Sequence, residues 1–210
     1  SAASDVYKRQ GAYLVVLTAV SASPSSSAGM PLIRDRVDAT SLPADRLWRF
    51  LAMAAHEPDA EAARKVEYLQ RFLRDWPRRG DIGVAALDET GAVVGAAWAR
   101  PFDRAETDFH VADGVPELVL AVRPDRRGEG LGRRLLDRLE DMARASNFAG
   151  LCLTVREDNP ACSLYRRAGF VTCGRGRNRV GTMSLGMWKP LNAAAAERAA
   201  NEVDRVHAMK

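Results

Sequence analysis

Gly128, Gly130 and Gly132 stand at alternate positions in the run RPDRRGEGLGRRLLD, with arginines on both sides. An apolar repeat at helical spacing, Leu131, Leu135, Leu139 and Met142, starts inside the same run. A glycine lowers helix propensity by about 1 kcal/mol relative to alanine. A plain strand-to-helix turn accounts for one glycine there and leaves the other two without a purpose. Backbone amides at a helix start, with no Cβ atoms in the way, form a seat for an anion and for phosphate above all. Arg123, Arg126, Arg127, Arg133, Arg134 and Arg138 bring positive charge to the same stretch, although an arginine on a helix is also commonly just solvated.

Two well-known phosphate loops do not fit this stretch. A P-loop requires G-x-x-x-x-G-K-[ST], and no lysine stands here. A dinucleotide fingerprint, G-x-G-x-x-G, has its glycines in the tight turn directly after a strand. Here Arg133 takes the third glycine position, and the glycines come several residues past the apolar run ELVLAV. The upstream half reads as a hairpin, and too little chain follows for a second βαβ half.

The elements that must position this loop can be read from periodicity. Of the 210 residues 47% are hydrophobic and 28% charged, so a sizeable core is expected. Leu32–Val37 reads as a strand. Thr40 or Ser41 is the candidate cap of a helix carrying Leu47, Trp48, Leu51 and Ala54, and a second helix carries Val66, Leu69, Phe72 and Leu73. DIGVAALD and AVVGAAWAR, joined by ETG, form a hairpin. ELVLAV, the glycine loop with its leucine helix, the strand LCLTV, a short helix opening at Pro160 and ending at Gly169, and the strands FVTCGR and GTMSLGMW follow. Residues 30–190 are therefore expected to form the domain, with 191–210 an alanine-rich helical tail. Residues 7–23 mimic a short signal peptide, but SDVYKRQ resembles translated adapter sequence and SASPSSSAG has linker composition. Residues 1–29 are expected to be non-native or disordered, with a genuine secretory signal as the alternative.

Arg127-x-x-Gly130-x-Gly132, preceded by LAVRPDR, resembles the acetyl-CoA signature of the GNAT family of N-acetyltransferases, and NPACSLYRRAGF (159–170) resembles its second signature. The resemblance covers roughly residues 31–190. It implies an α/β fold with a mixed, mostly antiparallel central sheet flanked by helices and splayed between the fourth and fifth strands. It implies acetyl-CoA as co-substrate, its pantetheine paired with the backbone of Leu120, Ala121 and Val122. The pyrophosphate would lie on the amides of Gly128, Glu129, Gly130, Leu131, Gly132 and Arg133, with Arg127 and Arg133 as charge partners. Asn159 would contact the pantetheine arm; its spacing to Tyr165 is one residue shorter than in the commoner form of the motif. Acetyl transfer by direct attack in a ternary complex needs a base for the amine, a donor for the oxyanion and an acid for the thiolate. The resemblance assigns the base to Glu117, acting directly or through water, and the acid to Tyr165.

The loop before Glu117 holds Asp103, Glu106, Asp108 and Asp113 against a single Arg104. It reads equally as an attractor for a cationic amine or as a solvated loop. His110 within it is a candidate second base or an incidental loop histidine. The expected partner is thus an amine-bearing small molecule or peptide; the tail from Leu191 is a candidate for packing on the domain or on a second subunit, which would give a homodimer. A net charge of +4 gives no sign of nucleic acid, and the longest apolar run is too short to span a membrane. Cys152, Cys162 and Cys173 lack C-x-x-C spacing and read as reduced thiols, which points to the cytoplasm and away from a metal site. The competing function is a non-catalytic acyl-CoA sensor of the same fold, which would need neither Glu117 nor Tyr165.

Overall fold

The computed structural model describes residues 42–107, 109–194 and 197, together with the backbone of Tyr13–Val16. The expected strand Leu32–Val37, Asp108 and most of the tail lie outside the described residues. The chain divides into two compact units. The first comprises residues 1–98 and 119–139, and the second comprises 99–118 and 140–210.

In the first unit, helix α1 spans Ala44–Ala55 and buries Leu47, Trp48, Phe50, Leu51 and Ala52. It starts behind Pro43, which offers no side-chain cap; the expected caps Thr40 and Ser41 lie outside the described residues. Proline needs no donor there, because the first amides of a helix have no intrahelical partner. His56 stops the helix in the left-handed conformation, φ 59°. The expected second helix is divided in two. Helix α2, Ala60–Lys65, is capped by the Asp59 carboxylate, which accepts from Ala62 N at 2.8 Å. Val66 is then extended (φ −87°, ψ 106°), and α3 covers only Glu67–Gln70. The Gln70 side chain donates to the Arg64 carbonyl at 2.9 Å, occupying an acceptor freed by the break. Phe72 and Leu73 follow α3 in turns and are nonetheless buried. Burial had set their spacing, and a helix was not needed to achieve it.

Strands β1 (Tyr13–Val16), β2 (Ile82–Leu87), β3 (Val93–Arg100) and β4 (Glu117–Val122) lie side by side in that order. Most of β4 belongs to this first unit, and its opening residues belong to the second. β1 pairs with β2 in parallel, Tyr13 opposite Ile82. The turn between β2 and β3 is built by Asp88, whose Oδ1 accepts from Thr90 N, Thr90 Oγ1 and Ala92 N at 2.9, 2.6 and 3.0 Å. Gly91 supplies the positive φ (81°) that this turn requires. β2 and β3 are buried almost throughout, consistent with their near-continuous apolar runs. Helix α4, Leu131–Ala145, lays Leu131, Leu135, Leu136 and Leu139 inward. A Cβ at Gly95 of β3 would stand 3.0 Å from Leu135 Cδ1 and 3.4 Å from the Ala121 carbonyl, so the helix rests directly on backbone. Each such leucine contributes about 1.5–3 kcal/mol by leaving water, which fixes the axis along which α4 departs from the glycine loop.

In the second unit, β5 (Gly150–Arg156) runs antiparallel to β7 (Met183–Pro190), and β7 antiparallel to β6 (Val171–Arg177). The spatial order is β5-β7-β6, with the start of β4 beside β5 and Glu117 opposite Cys152 in parallel register. A register shift between Thr172 and Gly174 leaves Cys173 as an extra residue in β6. Gly150 has no room for a side chain, because a Cβ there would stand 2.6 Å from the Lys189 carbonyl. Helix α5, Ala161–Arg167, opens behind Pro160 and buries Cys162 and Tyr165. Val111, Ala112, Val115, Cys152 and Trp188 form a core cluster, with Phe109 packed against it. The buried Glu140 is held by Lys189 at 2.6 Å and Arg144 at 3.2 Å. The sheet is thus mixed and carries helices, as the sequence implied.

Candidate active site

The glycine loop lies in the first unit. β4 ends at Val122, residues Pro124–Arg126 make one 3₁₀ turn, and Gly128 and Gly130 take positive φ values of 84° and 75° before α4 begins. At both positions an added Cβ would meet nothing within 4 Å. The left-handed backbone, and not crowding by protein, therefore demands glycine here, and the loop's outer side is open. Arg134 N donates to the Gly130 carbonyl at 3.2 Å, which opens the α4 hydrogen-bond ladder. The amides of Leu131, Gly132 and Arg133 precede that bond and carry the positive end of the helix dipole.

The arginines around the loop differ in what they hold. Arg123 pairs with Asp125 at 2.6 Å, Arg126 with Glu129 at 2.9 Å and Arg133 with Asp137 at 2.7 Å. These carboxylates raise the Arg123 and Arg126 guanidinium pKa values through side-chain hydrogen bonds, keeping both fully charged. Arg127 Nε donates to the Val122 carbonyl at 3.3 Å, tying the loop to the end of β4. Arg134 carries a buried Nη1 that has no hydrogen-bond partner among the described residues. Leu120 is half-buried, while Ala121 and Val122 are buried.

The acid–base candidates lie in the second unit. Glu117 is 2% exposed although it opens a strand. Its Oε1 accepts from Thr154 Oγ1 at 3.3 Å and its Oε2 from Thr107 Oγ1 at 3.2 Å. Carboxylates are seldom buried to this degree unless hydrogen bonds hold them. Tyr165 is 5% exposed and packs edge-on against Phe170, ring centroids 5.8 Å apart. Burial, and secondarily Cys162, pushes its phenol pKa well above the ordinary tyrosine value, so the group stays protonated at neutral pH. Asn159 Oδ1 accepts from Ala161 N at 2.9 Å, so this side chain shapes the start of α5.

The loop before β4 is mostly folded onto itself. Glu106 Oε2 accepts from Asp103 N at 2.9 Å, and His110 Nε2 lies 3.3 Å from Asp113 Oδ1, which is solvent-exposed. Sequence reasoning did not find Thr107, Thr154 or Phe109. The available signal was one polar residue in the apolar run LCLTV, which period-2 alternation sets on the same side as Cys152. Among the described residues no cluster of His, Cys, Asp or Glu could hold a metal ion, and no helix is long and apolar enough to cross a membrane.

The model of the Acetyltransferase (GNAT) family matches residues 46–170, more than half of the chain. The chain belongs to this family. A mycothiol acetyltransferase of Pseudarthrobacter chlorophenolicus is 31% identical over 120 residues, 57% of this chain and 36% of that protein. An L-methionine sulfoximine/L-methionine sulfone acetyltransferase of Pseudomonas aeruginosa is 36% identical over 103 residues, 47% of this chain and 55% of that one. The chain thus spans between about a third and about half of these curated relatives. Among solved structures, a GNAT-superfamily phosphinothricin acetyltransferase from Sinorhizobium meliloti in complex with acetyl-CoA is 25% identical. It aligns with TM-score 0.55 over 78% of this chain and 90% of its own. A ribosomal-protein-alanine N-acetyltransferase from Brucella melitensis is 26% identical, with TM-score 0.52 over 70% of this chain and 93% of its own. As a family member, the chain has the mixed α/β fold implied by its two signatures.

Proposed function

We propose that this GNAT-family chain transfers the acetyl group of acetyl-CoA to a primary amine by direct attack in a ternary complex. The observation that carries the reading is the loop from Gly128 to Arg133: left-handed glycines, open space around them and the amides that precede the α4 hydrogen-bond ladder. The pyrophosphate of acetyl-CoA fits this seat, since it supplies the acceptors those amides need. Arg134, whose Nη1 has no hydrogen-bond partner among the described residues, adds a further guanidinium to the first turn of α4. Arg127, which ties the loop to Val122, and Arg133, which is shared with Asp137, are the charge partners for the pyrophosphate. Acetyl-CoA, when bound, supplies the activated acyl group, and the backbone of Leu120, Ala121 and Val122 orients its pantetheine. Asn159, at the start of α5, is the side chain assigned to the pantetheine arm.

Glu117 takes the proton of the incoming ammonium, directly or through a water. Tyr165 holds a proton at its hydroxyl for the departing sulfur. An acid and a base of this kind each contribute about 10²- to 10⁴-fold in general acid–base catalysis. The named substrates of the curated relatives support a small amine-bearing molecule as acceptor, and the Brucella neighbour's name adds peptide N-termini to the candidates. Thermal unfolding with acetyl-CoA and with NAD tests the loop assignment. A ligand at about 100 times its dissociation constant stabilises by about 2.7 kcal/mol, so the melting temperature should rise with acetyl-CoA alone. A rise with NAD and none with acetyl-CoA would return the loop to a dinucleotide function.

A further inference from the structure

We propose that Thr107 and Thr154 are positioning residues that clamp the Glu117 carboxylate, and that Phe109, seated on a two-glycine floor in β6 and β7, holds Thr107 in place. The role in turnover rests on the reading of Glu117 as the base; the clamp itself does not. A threonine hydroxyl has one proton to give and two lone pairs to accept with. Thr107 Oγ1 accepts from Phe109 N at 3.1 Å, which directs its single proton to Glu117 Oε2 at 3.2 Å. Thr154 Oγ1 reaches the other oxygen from β5 at 3.3 Å. Two donors on two oxygens fix the plane of the carboxylate. Both bonds are longer than the 2.7–2.8 Å typical of O–H···O, so they orient the group while drawing little charge from it.

The seat of Phe109 explains how a loop residue keeps this register. Gly174 and Gly186 are paired across β6 and β7. A Cβ on Gly186 would overlap the Phe109 ring, and one on Gly174 would stand 3.7 Å from Phe109 Cε2. The ring therefore occupies the space that a side chain at Gly186 would fill, and rests in ordinary contact over Gly174. Neither glycine has a positive φ, so their backbone conformation does not demand the residue; at Gly186 the ring does. The loop is pinned two residues from Thr107, and the hydroxyl inherits that position.

The test is a double-mutant cycle with a spectroscopic readout on the full chain. Thr107→Val and Thr154→Val keep the shape and remove the donor. Each is expected to lower kcat about tenfold with the KM for acetyl-CoA unchanged, and Thr→Ser at the same position to restore it. In a Glu117→Gln background the Val substitutions should cost nothing further, because the clamp acts only through that carboxylate. In ¹³C-labelled protein the Glu117 side-chain carboxyl resonance should move in each Val variant and return in each Ser variant. Gly186→Ala, which leaves both hydroxyls intact, should move it in the same direction as Thr107→Val. An unmoved resonance in the Val variants, or Val losses that add in full to Glu117→Gln, would overturn the proposal. Wild-type turnover in Glu117→Gln would overturn the base assignment, and the resonance alone would then decide the clamp.

Discussion

Replacing Tyr165 by phenylalanine separates chemistry from packing more cleanly than any other change at this site. The residue is 5% exposed, and its ring meets Phe170 edge-on with centroids 5.8 Å apart. Phenylalanine keeps that ring and that contact. The hydroxyl makes no hydrogen bond to the described residues, so its removal strands no partner. Stability at neutral pH should therefore stay close to the parent's, because no hydrogen bond is broken and the ring packing is kept. If the phenol protonates the departing sulfur, kcat should fall about 10²- to 10⁴-fold, which is about 2.7–5.5 kcal/mol in the barrier. The KM for acetyl-CoA should hold, since the loop amides still carry the phosphates. The raised phenol pKa adds a second signature. In the unfolded chain tyrosine ionises near pH 10, whereas burial holds Tyr165 protonated to higher pH in the fold. Its contribution is complete below that unfolded value and is lost as pH rises through the folded one. Tyr165→Phe should lose less stability than the parent in urea titrations above about pH 10 and match it at neutral pH. Thiol release followed under saturating amine measures kcat. A rate within twofold of the parent, with stability unchanged, would refute the acid assignment and leave Tyr165 as a packing residue.

Glu117→Gln should slow turnover, and raising the pH should partly restore it, because more of the amine then arrives deprotonated; a slow variant with a flat pH response would indicate amine binding instead. Gly130→Asp should abolish stabilisation by acetyl-CoA, since it forces a side chain onto φ 75° and sets a negative charge in the phosphate seat; calorimetry with intact binding would contradict this. Leu136→Ala should cost about 2–5 kcal/mol in urea unfolding, because Leu136 is fully buried in the α4 packing face. A smaller loss would mean that α4 is held mainly by other contacts.

Local rules made some features legible and left others dark. α4 was readable because its leucines repeat at helical spacing, and the buried positions Leu131, Leu135 and Leu139 agree with the sequence. The inward face continues through Ala143, whereas Met142 is only half-buried, a difference of one position that the apolar pattern does not resolve. The break at Val66 was dark, because Leu69, Phe72 and Leu73 keep helix-like spacing although Phe72 and Leu73 pack from turns. The glycine loop was legible because positive φ selects for glycine, a preference of single residues. The Glu117 clamp was not, because Thr154 reaches it only through the β4–β5 register, in which Cys152 lies opposite Glu117. Phe109 was equally hidden, since its glycine floor is assembled by the pairing of Gly174 with Gly186.

Acetyl transfer itself is the most direct measurement. The chain would be incubated with acetyl-CoA and a panel of amino acids, polyamines, aminoglycosides and peptides with free N-termini. Free thiol would be followed over time, and acetylated product would be weighed by mass spectrometry. At least one amine is expected to gain an acetyl group, with one thiol released per product and both formed far more slowly in Glu117→Gln and Tyr165→Phe at neutral pH. Tight binding of acetyl-CoA with no product from any amine of the panel would contradict it and favour an acyl-CoA sensor on the same fold.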